Sequence, residues 1–167
     1  MLKEIYKLKP FFEDNYLELG VREYARLVKT TPPTASKILK NFESQGFLKK
    51  KSFKKNLLFR ANKESKILKD LSRIYWSMKL NDLINFIENG FHPSLIILFG
   101  SLTNLEINKN SDIDIAIISK FNPKMDFSRF EKKLKKEIQL FRFDSIEKIN
   151  KELRNSILNG YVLRGSF

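Results

Sequence analysis

Ser94-Leu-Ile-Ile-Leu-Phe-Gly-Ser101 opens with an apolar run that is too short for a helix and runs straight into a glycine-serine pair. A run of that length, flanked by a turn signal, predicts a strand buried on both faces. Ten residues further on the chain reads Ser111-Asp-Ile-Asp-Ile-Ala-Ile-Ile118. Side chains alternate across a strand, so Asp112 and Asp114 fall on one face and Ile113 and Ile115 on the other. Two neighbouring carboxylates repel and are costly to desolvate together, so the pattern calls for a compensating cation. Oxygen ligands alone select a hard ion such as Mg²⁺, which binds through a few carboxylates and shares its remaining positions with water and substrate phosphates.

This order of features resembles the nucleotidyltransferase superfamily of the DNA polymerase beta type: an apolar strand, Gly-Ser, a spacer, then Asp-hydrophobic-Asp. The resemblance covers Phe91 to Phe167 and extends to the serine before the first aspartate, Ser111. It implies that Gly100 lets backbone amides approach the phosphates of a nucleoside triphosphate and that Ser101 and Ser111 belong to the nucleotide site. It also implies that Asp112 and Asp114 are the catalytic pair and hold two Mg²⁺ ions as cofactor. The reaction implied is transfer of a nucleotidyl group, most often AMP from ATP, to an acceptor hydroxyl.

Two positions depart from the family. A glycine is common five residues after the glycine of Gly-Ser, and this chain has Leu105 there. Active members offer a third carboxylate on a later strand, and the best match, Ile138-Gln-Leu-Phe141, puts Gln139 at that place. Glutamine accepts hydrogen bonds and ligates metal weakly, but it is neither a base nor a charge. Glu137 shares its parity and is the other candidate for a metal ligand. The sequence leaves open whether the chain is an enzyme or a catalytically impaired protein that keeps the fold to bind a nucleotide or a partner.

Outward from this centre, a helix is expected around Asp126 to Glu137, with Phe127, Phe130 and Leu134 inward, crossing between the aspartate strand and the Gln139 strand. A last helix is expected over Ser145 to Asn159, N-capped by Asp144 with Glu147 at its third position. Upstream, Ile67, Leu71, Ile74 and Met78, then Leu83, Ile84 and Ile87, recur at helical spacing and are expected to face inward. They predict one long helix or two abutting ones, ended by Gly90 and Pro93, with Trp76 as a packing residue.

The first sixty residues carry a different pattern. Val21-Arg-Glu-Tyr-Ala-Arg-Leu-Val28 has helical spacing, Thr30-Thr-Pro-Pro33 breaks it, and a second helix is expected from Pro32 to Ser44 with Ala35, Ile38, Leu39 and Phe42 inward, stopped by Gly46. Phe47-Leu48 then starts a hairpin with a lysine-rich tip that returns through Asn56-Leu-Leu-Phe-Arg60. Two helices and a basic hairpin resemble the winged helix-turn-helix family. The resemblance implies double-stranded DNA as a partner. Thr31, Thr34, Ser36, Lys37 and Lys40 would be offered to the major groove, and Lys49, Lys50, Lys51, Lys54 and Lys55 to phosphates. Charge agrees with this: between Lys29 and Arg60 there are nine basic residues and one acid, Glu43, in a chain of net charge +13.

The expected architecture is α+β. It comprises a winged helix-turn-helix over 1–62, a helical connector over 63–90, and a nucleotidyltransferase-type mixed sheet with helices on one face over 91–167. At 167 residues and 42% apolar composition the chain can bury a core. With no cysteine and one histidine, His92, disulfides, thiolate metal sites and histidine-clustered zinc are excluded. No stretch is apolar enough to suggest a membrane span or a signal peptide, so a cytoplasmic protein is expected. A homodimer follows from the helix-turn-helix habit. Minimal nucleotidyltransferases are often paired with a small helical protein called HEPN, so the resemblance also implies a HEPN-type partner and an antitoxin-like role.

Overall fold

The computed structural model describes residues 2–54 and 56–166. By its internal contacts the chain divides into two units. One holds Met1–Tyr75 together with Leu105–Lys109, and the other holds Trp76–Asn104 and Asn110–Phe167.

The first unit starts with two short helices, α1 (Leu2–Lys7) and α2 (Lys9–Glu13), followed by a two-residue strand, β1 (Leu19–Gly20). Helix α3 (Val21–Leu27) and helix α4 (Pro32–Ser44) come next, then a hairpin of β2 (Leu48–Phe53) and β3 (Asn56–Ala61). Pro32 opens α4 where a missing N–H costs nothing. Gly46, at φ +74°, ends it by turning the chain so that the Phe47 N–H reaches the Phe42 carbonyl. Leu19 and Gly20 pair antiparallel with Phe59 and Leu58, giving a three-stranded sheet in the order β1-β3-β2. Ala35, Leu39 and Phe42 of α4 are buried as their spacing predicts, and Ile38 is half-buried. Tyr24, stacked on Phe11, is fully buried and donates its hydroxyl to the Lys7 carbonyl.

Helix α5 (Lys66–Lys79) meets helix α6 (Asn81–Phe91) at Leu80, so the predicted helical stretch is two abutting helices. Its buried face differs from the expectation. Leu68, Ser72, Tyr75 and Trp76 are buried, while Ile67, Ile74 and Met78 are 63%, 39% and 39% exposed. The two faces are one residue apart and both carry apolar side chains at helical spacing. Tyr75 decides between them for the first unit, packing its ring 5.3 Å from Phe12 and donating its hydroxyl to Glu13.

The second unit is built on a four-stranded sheet in the order β6-β5-β4-β7, from β4 (Leu95–Phe99), β5 (Ile113–Ile118), β6 (Ile138–Phe143) and β7 (Tyr161–Gly165). Strands β4 and β5 are antiparallel, as are β4 and β7, whereas β5 and β6 run parallel. A parallel pair needs a crossover, and α8 (Ser128–Leu134) supplies it, with Phe130 and Leu134 buried and Phe127 half-buried at its N-cap. Lys135, at positive φ, ends that helix three residues before β6. Strand β7 was not anticipated, because its five residues follow a helix-stopping Gly160 and lack a long apolar run.

The sheet is covered on both faces, not on one. Leu95, Ile97, Phe99 and Ala116 form a cluster with Ile149 and Ile157. On the opposite face Ile96, Leu98, Ile113, Ile115 and Ile117 are equally buried. Helices α6 and α8, joined through Phe86 and Phe130 at 5.1 Å, add further buried apolar residues, Leu83, Ile84, Ile87 and Phe91 on α6 and Phe130 and Leu134 on α8. The last predicted helix is also revised. A 3₁₀ turn spans Ile146–Lys148, and α9 (Lys151–Leu158) starts afresh with Asn150 as its cap, accepting from the Leu153 N–H. Asp144 caps nothing. Hydrogen bonds from Lys148 and Arg142 hold its carboxyl low, at about 2. Among the described residues no helix is long and apolar enough to cross a membrane.

Candidate functional site

The face of the sheet that carries Leu95, Ile97 and Phe99 continues onto Ala116 and Ile118 of β5 and Phe141 and Phe143 of β6. It ends at the Phe99–Phe141 ring pair, 5.4 Å apart. Beyond that pair the same face turns polar. In register, Phe99 faces Asp114 across one ladder and Gln139 faces Asp114 across the other. Strand parity then places Asp112 on this face too, one step beyond the start of β5.

Gly100 follows Phe99 directly and adopts φ +71°. A Cβ at this position would lie 2.2 Å from Oδ2 of Asp114, so the absent side chain is the room in which that carboxylate sits. The bend is fixed from the other side. The Thr103 N–H, the Thr103 hydroxyl and the Asn104 amide all donate to the Gly100 carbonyl, at 3.2, 2.9 and 3.3 Å. Ser101 begins the short helix α7 (Ser101–Asn104), which closes at Leu105. Leu105 itself takes the left-handed conformation, φ +56°, that glycine adopts easily. Its side chain is completely buried in the first unit, which offsets the strain.

Asp114 is half-buried, and its carboxyl is raised above the ordinary carboxylate range, first by desolvation and then by the neighbouring charge of Asp112. Asp112 accepts a hydrogen bond of 2.7 Å on Oδ2 from the Gln139 amide. A carboxylate only accepts, so it is the nitrogen end of Gln139 that faces Asp112. The Ser111 carbonyl accepts from Lys136, whose ammonium is part-buried there, 2.8 Å away. Glu137 is exposed, and its carbonyl pairs with the Ile113 N–H. Among the described residues no three histidine, cysteine or acidic side chains converge as a metal-holding group. The structure therefore brings together Gly100, Asp112, Asp114 and Gln139, with Ser101 and Ser111 flanking them along the chain. Lys136 and the donors Thr103 and Asn104 escaped sequence reasoning. Lys136 looks like one more surface lysine of a basic helix, and the other two differ from no ordinary helix residue.

The two carboxylates fit a divalent cation. One is half-buried and disfavoured as a bare charge by the other, and both point to the same side of one strand.

The basic surface of the first unit is arranged differently from its sequence count. Lys49 pairs with Glu64 at 2.7 Å, Lys50 with Glu43 at 3.1 Å, and Lys51 with Glu18 at 2.5 Å. Two of these acids lie outside the window in which the charges were counted. Thr31 and Thr34 share a hydrogen bond through their hydroxyls at the start of α4 and are exposed, as are Lys37 and Lys40. Ser36 is half-buried. Lys54 lies over the Phe53 ring at the hairpin tip. Lys55 lies outside the described residues.

The family described as Polymerase beta, Nucleotidyltransferase matches residues 81–164, half of the chain. Two solved structures are similar to it. One is a toxin-antitoxin with AMP-PNP, 23% identical, matched over 52% of this chain and 73% of that one with a TM-score of 0.42. The other is a mutant of the toxin-antitoxin MntA-HpeT, 21% identical, over 52% and 72% with a TM-score of 0.40. No curated protein matches.

Proposed function

This chain belongs to the Polymerase beta nucleotidyltransferase family, and from that premise we propose that its second unit binds a nucleoside triphosphate with Mg²⁺ and transfers the nucleotidyl group, AMP from ATP, to an acceptor hydroxyl. The observation that carries the reading is the Asp114 carboxylate seated in the space left by Gly100, with Asp112 on the same face. Asp112 and Asp114 would hold the cation, Gly100 would keep the phosphate approach open, and Ser101 and Ser111 would flank the triphosphate. Mg²⁺ supplies charge stabilisation on the phosphoryl group in flight and lowers the pKa of the attacking hydroxyl. The acceptor hydroxyl releases its proton to solvent as its oxygen bonds to the α-phosphorus, the bond from that phosphorus to the oxygen bridging to the β-phosphate breaks, and pyrophosphate leaves. Incubation of the protein with α-labelled ATP and Mg²⁺ tests the proposal. Label transferred by the wild type and lost in Asp112→Asn is the expected result, by about 10²-fold or more for a group acting in the transition state. A chain that binds no ATP ends the reading.

A second reading is favoured by Gln139. An amide at that position accepts no proton, so the acceptor hydroxyl has no general base there. In this version the chain is a DNA-binding regulator or antitoxin-like protein that binds nucleotide without turnover. The same labelling experiment separates the two, because ATP then binds to wild type and no label moves.

We propose in either case that the first unit is a winged helix-turn-helix that binds double-stranded DNA, with a cytoplasmic location. A homodimer and a small helical HEPN-type protein as partner belong to the same proposal. Helices α3 and α4 followed by the β2–β3 hairpin support the DNA reading, as do the exposed Thr34, Lys37 and Lys40. The ion pairs of Lys49, Lys50 and Lys51 do not oppose it, since exposed pairs are worth about 0–1 kcal/mol and phosphates compete for the same cations. Replacing all three lysines with alanine is expected to lower the salt dependence of DNA binding, cutting the log–log slope by up to roughly 3. Glu18→Gln with Glu64→Gln, which frees two of them, is expected to tighten binding. Salt-insensitive binding, or none, defeats the DNA reading.

A further inference from the structure

Gln139 sits across the β5–β6 ladder from Asp114, yet its amide reaches past that residue to Asp112 and donates to Oδ2 at 2.7 Å. One side chain thus contacts the carboxylate pair from the neighbouring strand. Its contribution differs from that of an acid in two ways. It donates, so it fixes one oxygen of Asp112 and the direction of the other, as partners of metal-ligating carboxylates commonly do. It is neutral, so it adds no charge to the two that Asp112 and Asp114 bring.

We infer that Gln139 is a positioning residue for Asp112, and that with its amide in place the aspartate pair takes one divalent cation, not two, before any nucleotide arrives. The inference rests on reading the pair as the cation and nucleotide site. The charge count carries the stoichiometry. Two carboxylates neutralise one divalent ion, and among the described residues no third acidic side chain converges on them. A second ion would leave an uncompensated double positive charge beside the half-buried Asp114, which repulsion and desolvation both oppose. A second ion therefore has to bring its own anion, and the triphosphate is one. Hydrogen-bond geometry carries the positioning. Without the Gln139 donor nothing in the described structure holds the Asp112 carboxylate, and ordering it then falls to the cation.

The test is Mn²⁺ titration of the full chain without nucleotide, followed by the loss of the free-ion signal in electron paramagnetic resonance. One Mn²⁺ per chain is the expected result for wild type. Gln139→Leu, similar in size but without the donor, is expected to keep that stoichiometry and lose affinity about 10- to 100-fold. Gln139→Glu, nearly the same shape with a charge added, is expected to bind Mn²⁺ more tightly than wild type or to admit a second ion. Circular dichroism melting of each variant confirms that it is folded. Two ions on the wild type overturn the inference, as does Gln139→Leu with unchanged affinity, or Gln139→Glu with neither gain. If Asp112→Asn combined with Asp114→Asn leaves Mn²⁺ binding intact, the site reading itself is wrong, and the inference falls with it.

Discussion

Gly100→Ala is expected to lose most cation and nucleotide binding while the chain remains folded. The new Cβ would lie 2.2 Å from Asp114 Oδ2 and 3.2 Å from its Cγ, well inside contact distance. The carboxylate is the mobile partner, because three hydrogen bonds from Thr103 and Asn104 to the Gly100 carbonyl hold the backbone. It swings out of the space it now fills and leaves the position it shares with Asp112. A displaced ligand of this kind costs about 10- to 100-fold in affinity. There is also a conformational cost, since alanine at φ +71° pays about 1–2 kcal/mol. Gly46 separates the two effects. It has nearly the same conformation, φ +74°, and nothing lies within 4 Å of its Cβ direction. Gly46→Ala is therefore expected to show the backbone cost alone, as a small drop in melting temperature with ATP binding unchanged. Isothermal titration with Mg²⁺-ATP on both variants is the measurement. ATP affinity equal to wild type in Gly100→Ala would mean that Asp114 does not take part in binding.

Why the local geometry of the candidate site could be read from the sequence while much around it could not comes down to the range of the interactions. The parity of Asp112 and Asp114, the buried run Leu95–Phe99 and the bend at Gly100 are all fixed within a few residues of the chain. So are the Pro32 start and Gly46 stop of α4. The inward face of α5 is different. Ile67, Leu71, Ile74 and Met78 make as good a stripe as Leu68, Ser72, Tyr75 and Trp76. Only the partners, Phe12 and Glu13 for Tyr75, choose between them. The charge count of the hairpin is incomplete for the same reason. Glu18 and Glu64 reach their lysines from outside the counted window. Leu105 shows a local rule overridden. The sequence marks it as the wrong residue for a left-handed turn, and the fold takes that turn regardless, because full burial of the side chain compensates. The Gln139–Asp112 hydrogen bond lies between these cases. Parity put Gln139 on the right face, but the direction of its amide depends on a carboxylate 27 residues away.

The longest-range of these interactions is also the one whose loss should unfold the most. Asn15 is 2% exposed and makes three hydrogen bonds. Its side-chain amide donates to the Phe11 carbonyl at 2.6 Å, at the end of α2. Its side-chain oxygen accepts the Ile107 N–H, and its own N–H reaches the Ile107 carbonyl, each at 2.8 Å. Ile107 and Leu105 are completely buried in the first unit, so a five-residue segment of the spacer between Ser101 and Asp112 is tied down there through one asparagine. Asn15→Ala removes both side-chain bonds and leaves the Ile107 N–H and the Phe11 carbonyl unpaired in the interior. At about 1–3 kcal/mol for each buried group left unpaired, the expected loss for the two is roughly 2–6 kcal/mol, a large part of the stability of a small protein. Asn15→Asp adds a buried charge to the same deficit. It keeps the acceptor for Ile107, loses the donor to Phe11 and buries a charge, so near neutral pH it should be at least as harmful. The buried carboxyl has a folded-state pKa above its unfolded value, so the penalty is present above that pKa and fades as pH falls through it. Once protonated, the carboxyl can donate to the Phe11 carbonyl again. Urea unfolding of the three proteins at pH 7 and pH 5 tests this. The Asn15→Asp deficit relative to wild type should shrink at the lower pH, and that of Asn15→Ala should not. An Asn15→Ala protein within about 0.5 kcal/mol of wild type, the range of ordinary surface substitutions, would mean that water replaces the asparagine and that this pairing does not anchor the spacer.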